Sequence, residues 1–480
     1  MNSTTRDLIK ATALAEQAGA DRARSSAWYP AFHLAPPVSW LNDPNGLCQW
    51  KGAYHFFFQY APLNVMGGLK MWGHYTSTDL ISWKYEGPAL LPDEHRDCHG
   101  VYSGSACNSE EGMWLYYTGN VKQMGSDLDY IKKGREHNVI RAFSADGIHF
   151  DGKELLMTNA DYPENVTCHV RDPKVWKEDG TWYMVLGART VDDVGEVLVY
   201  TSDDGAHWTL KNTLKSDKKF GFMWECPDLF TVEGQTFLSV SPQGVEAKGM
   251  EFQNIYQSGV FPLEGDFRGK YHLGKFTELD RGFDFYAPQT FVDEQGRRIL
   301  VGWFGLPDLD GLYENPTAQD GWMHCLTIPR VLSCENGHLL QNPVPELQAL
   351  RGEETALAVQ NDAQVPQGSV FEALIQIEQT GGPVEVEIRQ GAVLSWKDGV
   401  FTLSFRDGGY GRTTRSCVLP SLKQLHIFCD TSSIEVFING GQEVFSSRFY
   451  PTSEQQGIRL HGDDLQASLQ LWPLRPMEMA

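Results

Sequence analysis

The chain has no run of about 18 apolar residues, so no transmembrane helix is expected. It is short of positive charge: 40 Lys+Arg stand against 62 Asp+Glu, a formal net charge of −22. Nucleic acids and anionic membrane surfaces both need a basic face, so neither is an expected partner. A small local basic pocket is still compatible with that balance. The first 29 residues break their alanines with Arg6, Asp7, Lys10, Glu16, Asp21, Arg22 and Arg24, and lack the continuous apolar core of a secretory signal. They read as a leading helix. There is no P-loop, no nucleotide-binding glycine fingerprint and no His-Glu-x-x-His. The nine cysteines are odd in number and irregularly spaced, which reads as reduced thiols and a cytoplasmic location. His95, Asp97, Cys98 and His99 sit together, but their spacing matches no zinc pattern and suits a polar loop. No metal or organic cofactor is expected.

What is present is a folded composition, 41% apolar and 12% aromatic, too apolar for disorder. At 480 residues the length allows roughly three domains. Five times the chain reads as strand, glycine turn, apolar-aromatic strand, with the turns at Gly52, Gly112, Gly180, Gly234 and Gly296. Tyr54-His55-Phe56-Phe57-Phe58 and Trp182-Tyr183-Met184-Val185-Leu186 are two of the runs that follow, with the texture of hairpins. A second element, Ser-x-Asp, recurs at Ser77, Ser144 and Ser202 and reads as an outer-strand turn. Five all-β units of about 60 residues predict a five-bladed β-propeller with four-stranded blades. An ordinary sandwich with coincident spacing is the alternative. Past Pro343 the texture changes to period-two runs such as Val384-Glu385-Val386-Glu387-Ile388, with a hairpin signal at Asn439-Gly440-Gly441. The expected division is an N-terminal helical extension (1–28), a propeller (29–342), a linker (343–356) and a C-terminal β-sandwich (357–480).

Aligning the repeats on their turn glycines and reading eight to ten residues upstream finds Asp43, Ser103, Asp172, Glu225 and Tyr286. If each starts the innermost strand of its unit, all five converge at one mouth of a central axis. Three converging carboxylates beside aromatic walls suit glycoside hydrolysis: one attacks, one protonates the leaving oxygen, one binds hydroxyls. A single Asp-Pro could merely cap a turn; several in register carry more weight.

At these residues the sequence resembles glycoside hydrolase family 32, the invertases and β-fructofuranosidases. The resemblance rests on Trp40-Leu41-Asn42-Asp43-Pro44-Asn45-Gly46, Tyr102-Ser103-Gly104-Ser105, Arg171-Asp172-Pro173 and Glu225-Cys226-Pro227-Asp228. Asp430-Thr431-Ser432-Ser433-Ile434-Glu435-Val436-Phe437-Ile438-Asn439 extends it into the C-terminal sandwich. Within the family, His169 to Trp176 and Asp284 to Gln289 look most like bacterial intracellular sucrose-6-phosphate hydrolases. The resemblance implies Asp43 as nucleophile, Glu225 as general acid/base and Asp172 as the holder of fructose hydroxyls. It implies a fructose pocket lined by Asn42, Gln59, Trp72, Tyr102, Ser103, Arg171, Tyr286 and Trp303. It also implies retention, with the Asp43 and Glu225 carboxyls about 5–5.5 Å apart. Leu41 stands where the family usually has Met, a swap of similar volume.

The residues themselves suggest how the roles divide. Arg171 beside Asp172 should favour a charged carboxylate there. Burial beside Trp224 and proximity to Asp43 should raise the pKa of Glu225, giving a bell-shaped pH–rate profile. Cys226 reads as packing rather than as a tuner of Glu225. Lys70, two residues before Trp72, is the candidate contact for a substrate phosphate, although base rates favour a solvated surface lysine. The expected partner is a sugar: sucrose, sucrose 6-phosphate or short fructo-oligosaccharides. Rival readings are a fructan hydrolase or fructosyltransferase, an inverting propeller hydrolase acting on arabinose or xylose polymers, and a non-catalytic sugar-binding propeller. The sandwich carries no catalytic constellation and is expected to pack on the propeller. Nothing in the residues indicates an oligomeric state.

Overall fold

The computed structural model describes residues 2–480; Met1 of the expected extension lies outside them. Helix α1 spans Ser3–Arg24, and the Asn2 side chain caps it by accepting the Thr5 N–H (2.8 Å). Arg22 and Arg24 in the last turn suit the helix dipole. The helix docks on the β domain through Glu16, which accepts the hydroxyls of Tyr60 (3.0 Å) and Tyr85 (2.7 Å). No helix among the described residues is long and apolar enough to cross a membrane.

The rest is all-β: a β-propeller followed by a sandwich-like sheet. In the propeller, antiparallel sheets begin with the inner strands Ser39–Trp50, Val101–Asn108, Val166–Glu178, Met223–Val232 and Tyr286–Val292. Each inner strand neighbours the next, and the last neighbours the first. Three of the glycine turns have both central residues at positive φ: Lys51 (51°) with Gly52 (81°), Asp179 (47°) with Gly180 (83°), and Glu233 (48°) with Gly234 (85°). That is the geometry whose twist matches paired strands. Gly112 serves differently, through closeness: a Cβ there would lie 2.3 Å from the Ser144 carbonyl oxygen. The Ser-x-Asp elements lead into the outermost strands as expected. The hydroxyls of Ser77, Ser144 and Ser202 accept the N–H of Leu80, Gly147 and Gly205, at 2.8, 2.8 and 2.9 Å.

Two parallel additions complete the first sheet. Trp322–Met323 pairs beside Ser39–Trp40, and Glu478–Met479 pairs beside Ser82–Trp83. The first brings His324 to the side of Trp40; the second ties the end of the described chain back to the propeller. The stretch after Pro343 is packed rather than loose: a 3₁₀ turn, Pro345–Leu350, buries Leu347 and Leu350 in the propeller core.

The C-terminal sheet is ten-stranded, and Ile458–Pro473 is its shared strand. Its first half pairs with Val384–Ile388 and its second with Phe371–Gln379. One long strand thus runs through both layers, and Phe371, Ile375, Val386, Ile427 and Val436 fill the space between them. The Asn439-Gly440 turn adopts positive φ at both residues, as its dipeptide predicts.

A buried charge network joins the two domains. His33 Nδ1 meets Asp430 Oδ2 (2.6 Å) and His33 Nε2 meets Glu435 Oε1 (2.9 Å). Arg330 Nη2 reaches Glu435 Oε2 (2.6 Å) and Asp280 Oδ2 (3.1 Å). The Asp430-to-Asn439 stretch therefore faces the propeller.

Candidate active site

Each inner strand slips its pairing register at the residue singled out above. The shifts lie between Leu41 and Pro44, Tyr102 and Gly104, Arg171 and Lys174, Glu225 and Asp228, and Tyr286 and Gln289. Four of the slips carry a proline, at Pro44, Pro173, Pro227 and Pro288. Proline has no N–H to donate, so a bulge is where a strand tolerates it. Asp172 (65°), Cys226 (46°) and Ala287 (47°), each just before a proline, take positive φ. The bulges turn side chains out of the ladder and toward the axis. The expectation of strand starts needs correction for two of them: Asp43 and Asp172 lie well inside their strands, and the bulge aims them.

The result is a cavity of about 550 Å³ with Asp43, Asp172 and Glu225 in its wall. Asn42, Gln59, Tyr102, Ser103, Arg171, Tyr286 and Trp303 also line it. Trp72 does not. It is 0% exposed, and its indole donates to the Tyr102 carbonyl (3.1 Å), so it backs the wall rather than forming it. Lys70 is the other correction. It is a half-buried wall residue, not a solvated one, with Nζ 4.5 Å from the centre of the Trp40 ring.

A relay of amides and hydroxyls orients Asp43. Trp40 Nε1 donates to Asn42 Oδ1 (2.8 Å), and Asn42 Nδ2 donates to Gln59 Oε1 (2.9 Å) and Asp43 Oδ1 (3.1 Å). Gln59 Nε2 donates to Ser103 Oγ (2.6 Å), which donates to Asp43 Oδ2. Glu225 is held by Arg171 Nε (3.1 Å) and Nη2, Gln243 Nε2 (2.7 Å) and the Tyr286 hydroxyl (2.7 Å). Asp172 Oδ2 accepts the Cys226 N–H (2.9 Å) and stands 3.9 Å from Arg171 Nε.

Two expectations change here. Arg171, although adjacent to Asp172 in sequence, makes its close bonds to Glu225 and to His169 Nδ1 (2.7 Å). Burial pushes Asp172 up to about 7 against the pull of Arg171, and Glu225 adds to the push. Trp224 turns its indole away to the Phe220 carbonyl (2.7 Å). Cys226 faces the other two carboxylates instead of Glu225, with Sγ 3.8 Å from Asp43 Oδ2 and 3.7 Å from Asp172 Oδ2. Burial pushes its thiol well up. Burial also raises Asp43 despite its bonds from Ser103 and Asn42. Lys70 is pushed down to about 7 by burial, with Asp43 opposing.

Several lining residues were not singled out from the sequence. Gln243 lies nine residues after Gly234 as Glu225 lies nine before it, so hairpin register could have found it. Trp40 shares a strand with Asn42, two residues away. Arg135, His324 and Arg412 had no local signal; Arg412 comes from the C-terminal domain. Among the described residues no group of three His, Cys, Asp or Glu side chains could hold a metal ion. In the polar loop near His95, buried Asp97 bonds Lys153 (2.6 Å) and Tyr117 (2.9 Å), whereas Cys98 is exposed.

Comparison with known proteins gives the same picture. The model of the glycosyl hydrolases family 32 N-terminal domain matches residues 33–343, and that of the family 32 C-terminal domain matches residues 420–473. The chain is 42% identical over 434 residues to the sucrose-6-phosphate hydrolase of Bacillus subtilis (strain 168), covering 88% of each chain. It is similar in structure to the sucrose-6-phosphate hydrolase of Lactobacillus gasseri, with TM-score 0.88, 30% identity and 97% of each chain covered. A Bombyx mori family 32 β-fructofuranosidase mutant, solved in complex with sucrose, matches with TM-score 0.83 and 30% identity over 100% of each chain.

Proposed function

Because the chain belongs to glycosyl hydrolase family 32, we propose that it is a β-fructofuranosidase that hydrolyses the terminal non-reducing fructosyl bond of sucrose and sucrose 6-phosphate. The observation that carries this reading is the convergence of Asp43, Asp172 and Glu225 in one cavity walled by sugar-sized aromatic and amide groups.

In the proposed reaction, Asp43 attacks the anomeric carbon of the fructosyl unit, and Glu225 gives a proton to the departing glycosidic oxygen. Water then attacks the fructosyl–enzyme ester, Glu225 takes the water proton, and Asp43 is released. The Asn42–Gln59–Ser103 relay supports the attacking role by holding both Asp43 oxygens in one orientation. Arg171, Gln243 and Tyr286 hold Glu225 beside the bond to be broken. Asp172 sits where it can accept fructose hydroxyls. Burial raises the pKa of Asp43 and pushes that of Asp172 up to about 7. Lys70 is the cation for a substrate phosphate.

We further read the propeller as five-bladed, on its five inner strands, with the domain bounds 1–28, 29–342, 343–356 and 357–480. A cytoplasmic location is supported by the nine cysteines, all unbridged in the structure. The test is to follow sucrose cleavage by NMR and identify the first-formed fructofuranose anomer. The β anomer is expected; the α anomer would overturn double displacement, and no fructose from either sugar would overturn the hydrolase reading.

A further inference from the structure

Nitrogen donors without a hydrogen-bond partner are unusual inside a protein, because burying a polar group unpaired is costly. The cavity wall holds three side chains with such donors. Arg412 is 3% exposed; its Nε and Nη2 bind Asp284 (2.8 and 2.6 Å), while Nη1 has no partner. His324 is 4% exposed, and neither ring nitrogen has a partner. Its backbone is held at φ 69°, strain that a non-glycine residue tends to carry at functional positions. The Lys70 side chain makes no ion pair or hydrogen bond among the described residues and rests on the face of Trp40. The His324 ring lies 4.5 Å from the same indole, so lysine and histidine flank one aromatic wall. Trp40 in turn bonds Asn42, which bonds Asp43, so this wall adjoins the proposed nucleophile.

We propose that Lys70, His324 and Arg412 form a subsite for a phosphate monoester on the leaving-group sugar, with the C-terminal domain supplying the arginine. This rests on the hydrolase reading above and extends it from one lysine to a three-sided cradle. A sugar phosphate carries about −1.5 to −2 charge at pH 7 and three strong acceptor oxygens, matching three donors that otherwise have none. Burial, with Arg412 and Lys70 adding to the effect of Arg448, keeps His324 neutral; a bound dianion would reverse that repulsion. Asp308, Asp310 and Glu314 also line the cavity, but none of them bonds the three donors. Asp308 accepts the Tyr256 hydroxyl instead (3.0 Å). On a chain with net charge −22, a phosphate needs such a local cluster to enter at all.

The test compares kcat/KM on sucrose 6-phosphate and sucrose, and inhibition by glucose 6-phosphate and glucose. The wild type should prefer both phosphorylated sugars. Lys70→Met and His324→Leu should each lower the preference about tenfold or more, the loss of one charge-assisted contact. Arg412→Met would strip Asp284 of its buried partner, so Arg412→Lys, checked by thermal melting, is the informative variant and should lower the preference similarly. Equal inhibition by glucose and its 6-phosphate, or an unchanged preference in Lys70→Met and His324→Leu, would overturn the subsite while leaving the hydrolase reading intact. If neither sugar is cleaved, that reading fails. The subsite is then judged by calorimetric binding of glucose 6-phosphate to wild type and Lys70→Met, with equal affinity overturning it.

Discussion

Among the buried carboxylates, Asp430 and Glu435 between the domains and Asp43 and Asp172 in the cavity behave oppositely. In the network between the domains, every carboxylate oxygen of Asp430 and Glu435 has a partner. Asp430 takes the N–H groups of Ala31 (2.8 Å), Phe32 (3.1 Å) and Thr431 (2.6 Å) as well as His33. Glu435 takes the Ile328 N–H (2.9 Å), His33 and Arg330. Both nitrogens of His33 face carboxylates, so the ring is the doubly protonated cation. Burial would push Asp430 and Glu435 up, yet His33, Arg330 and the backbone N–H groups hold both below the usual carboxylate range. In the cavity, three carboxylates have Arg171 as their one close guanidinium, and burial wins at Asp43 and Asp172. Matched buried charge fastens a fold; mismatched buried charge is reactive.

That contrast can be broken by substitution. Asp43→Asn removes the proposed attacking oxygen, so fructose release should fall about 10⁴-fold or more while the protein stays folded; a stopped assay and a melting curve check both halves. A variant that unfolds instead would place Asp43 with the structural cluster. Glu225→Gln should lose about 10²–10⁴-fold and recover partly on fructosyl donors with very good leaving groups. No recovery on any such donor would argue against the acid role. His33→Ala should do the reverse of both. It leaves two buried carboxylates short of a partner, at a cost of about 3–5 kcal/mol, with kcat at 25 °C unchanged in the protein that remains folded.

The pH dependence sharpens the comparison. His33 has a folded pKa above its unfolded value, because hydrogen bonds to Asp430 and Glu435 outweigh burial. Its contribution is complete below about pH 6.5 and is lost as pH rises through the folded pKa. Asp430 and Glu435 have depressed values, so their contribution is present above about pH 4.5 and is lost as pH falls through their folded pKa. Melting temperature should therefore plateau between those limits, and His33→Ala should flatten its alkaline edge. Asp172 has the opposite sign to Asp430: with its folded pKa raised to about 7, it stabilises the protein as pH falls. Asp172→Asn should abolish most activity yet raise the melting temperature at pH 8 by about 1–3 °C. A lower melting temperature there would mean that Asp172 is paired, not frustrated.

Much of the site was legible because β structure is periodic. Turn glycines mark where each hairpin reverses, and counting back from them finds Asp43, Ser103, Asp172, Glu225 and Tyr286. Hairpin register would also have found Gln243, whose amide bonds Glu225. Proline inside a strand was a readable sign of a bulge, and each bulge aims a site residue. Other assignments failed because they depend on which face a side chain takes after packing. Trp72 was expected in the pocket and lies behind it. Arg171 was expected to serve its sequence neighbour and serves Glu225, from a different inner strand. Lys70 looked like an ordinary surface lysine and is part of the wall.

By itself, the sequence determined the all-β class, the repeated hairpins, the change of texture past Pro343 and the identity of the three carboxylates. Those features are written in local spacing, and local spacing survives without coordinates. The tertiary structure alone decided which charges meet. His33 meets Asp430 and Glu435 across about 400 residues of chain. Arg412 reaches the cavity from the C-terminal domain, and one arginine is left to serve the acids around it. Pairing energy depends on distance and burial in space, and neither can be counted along a chain.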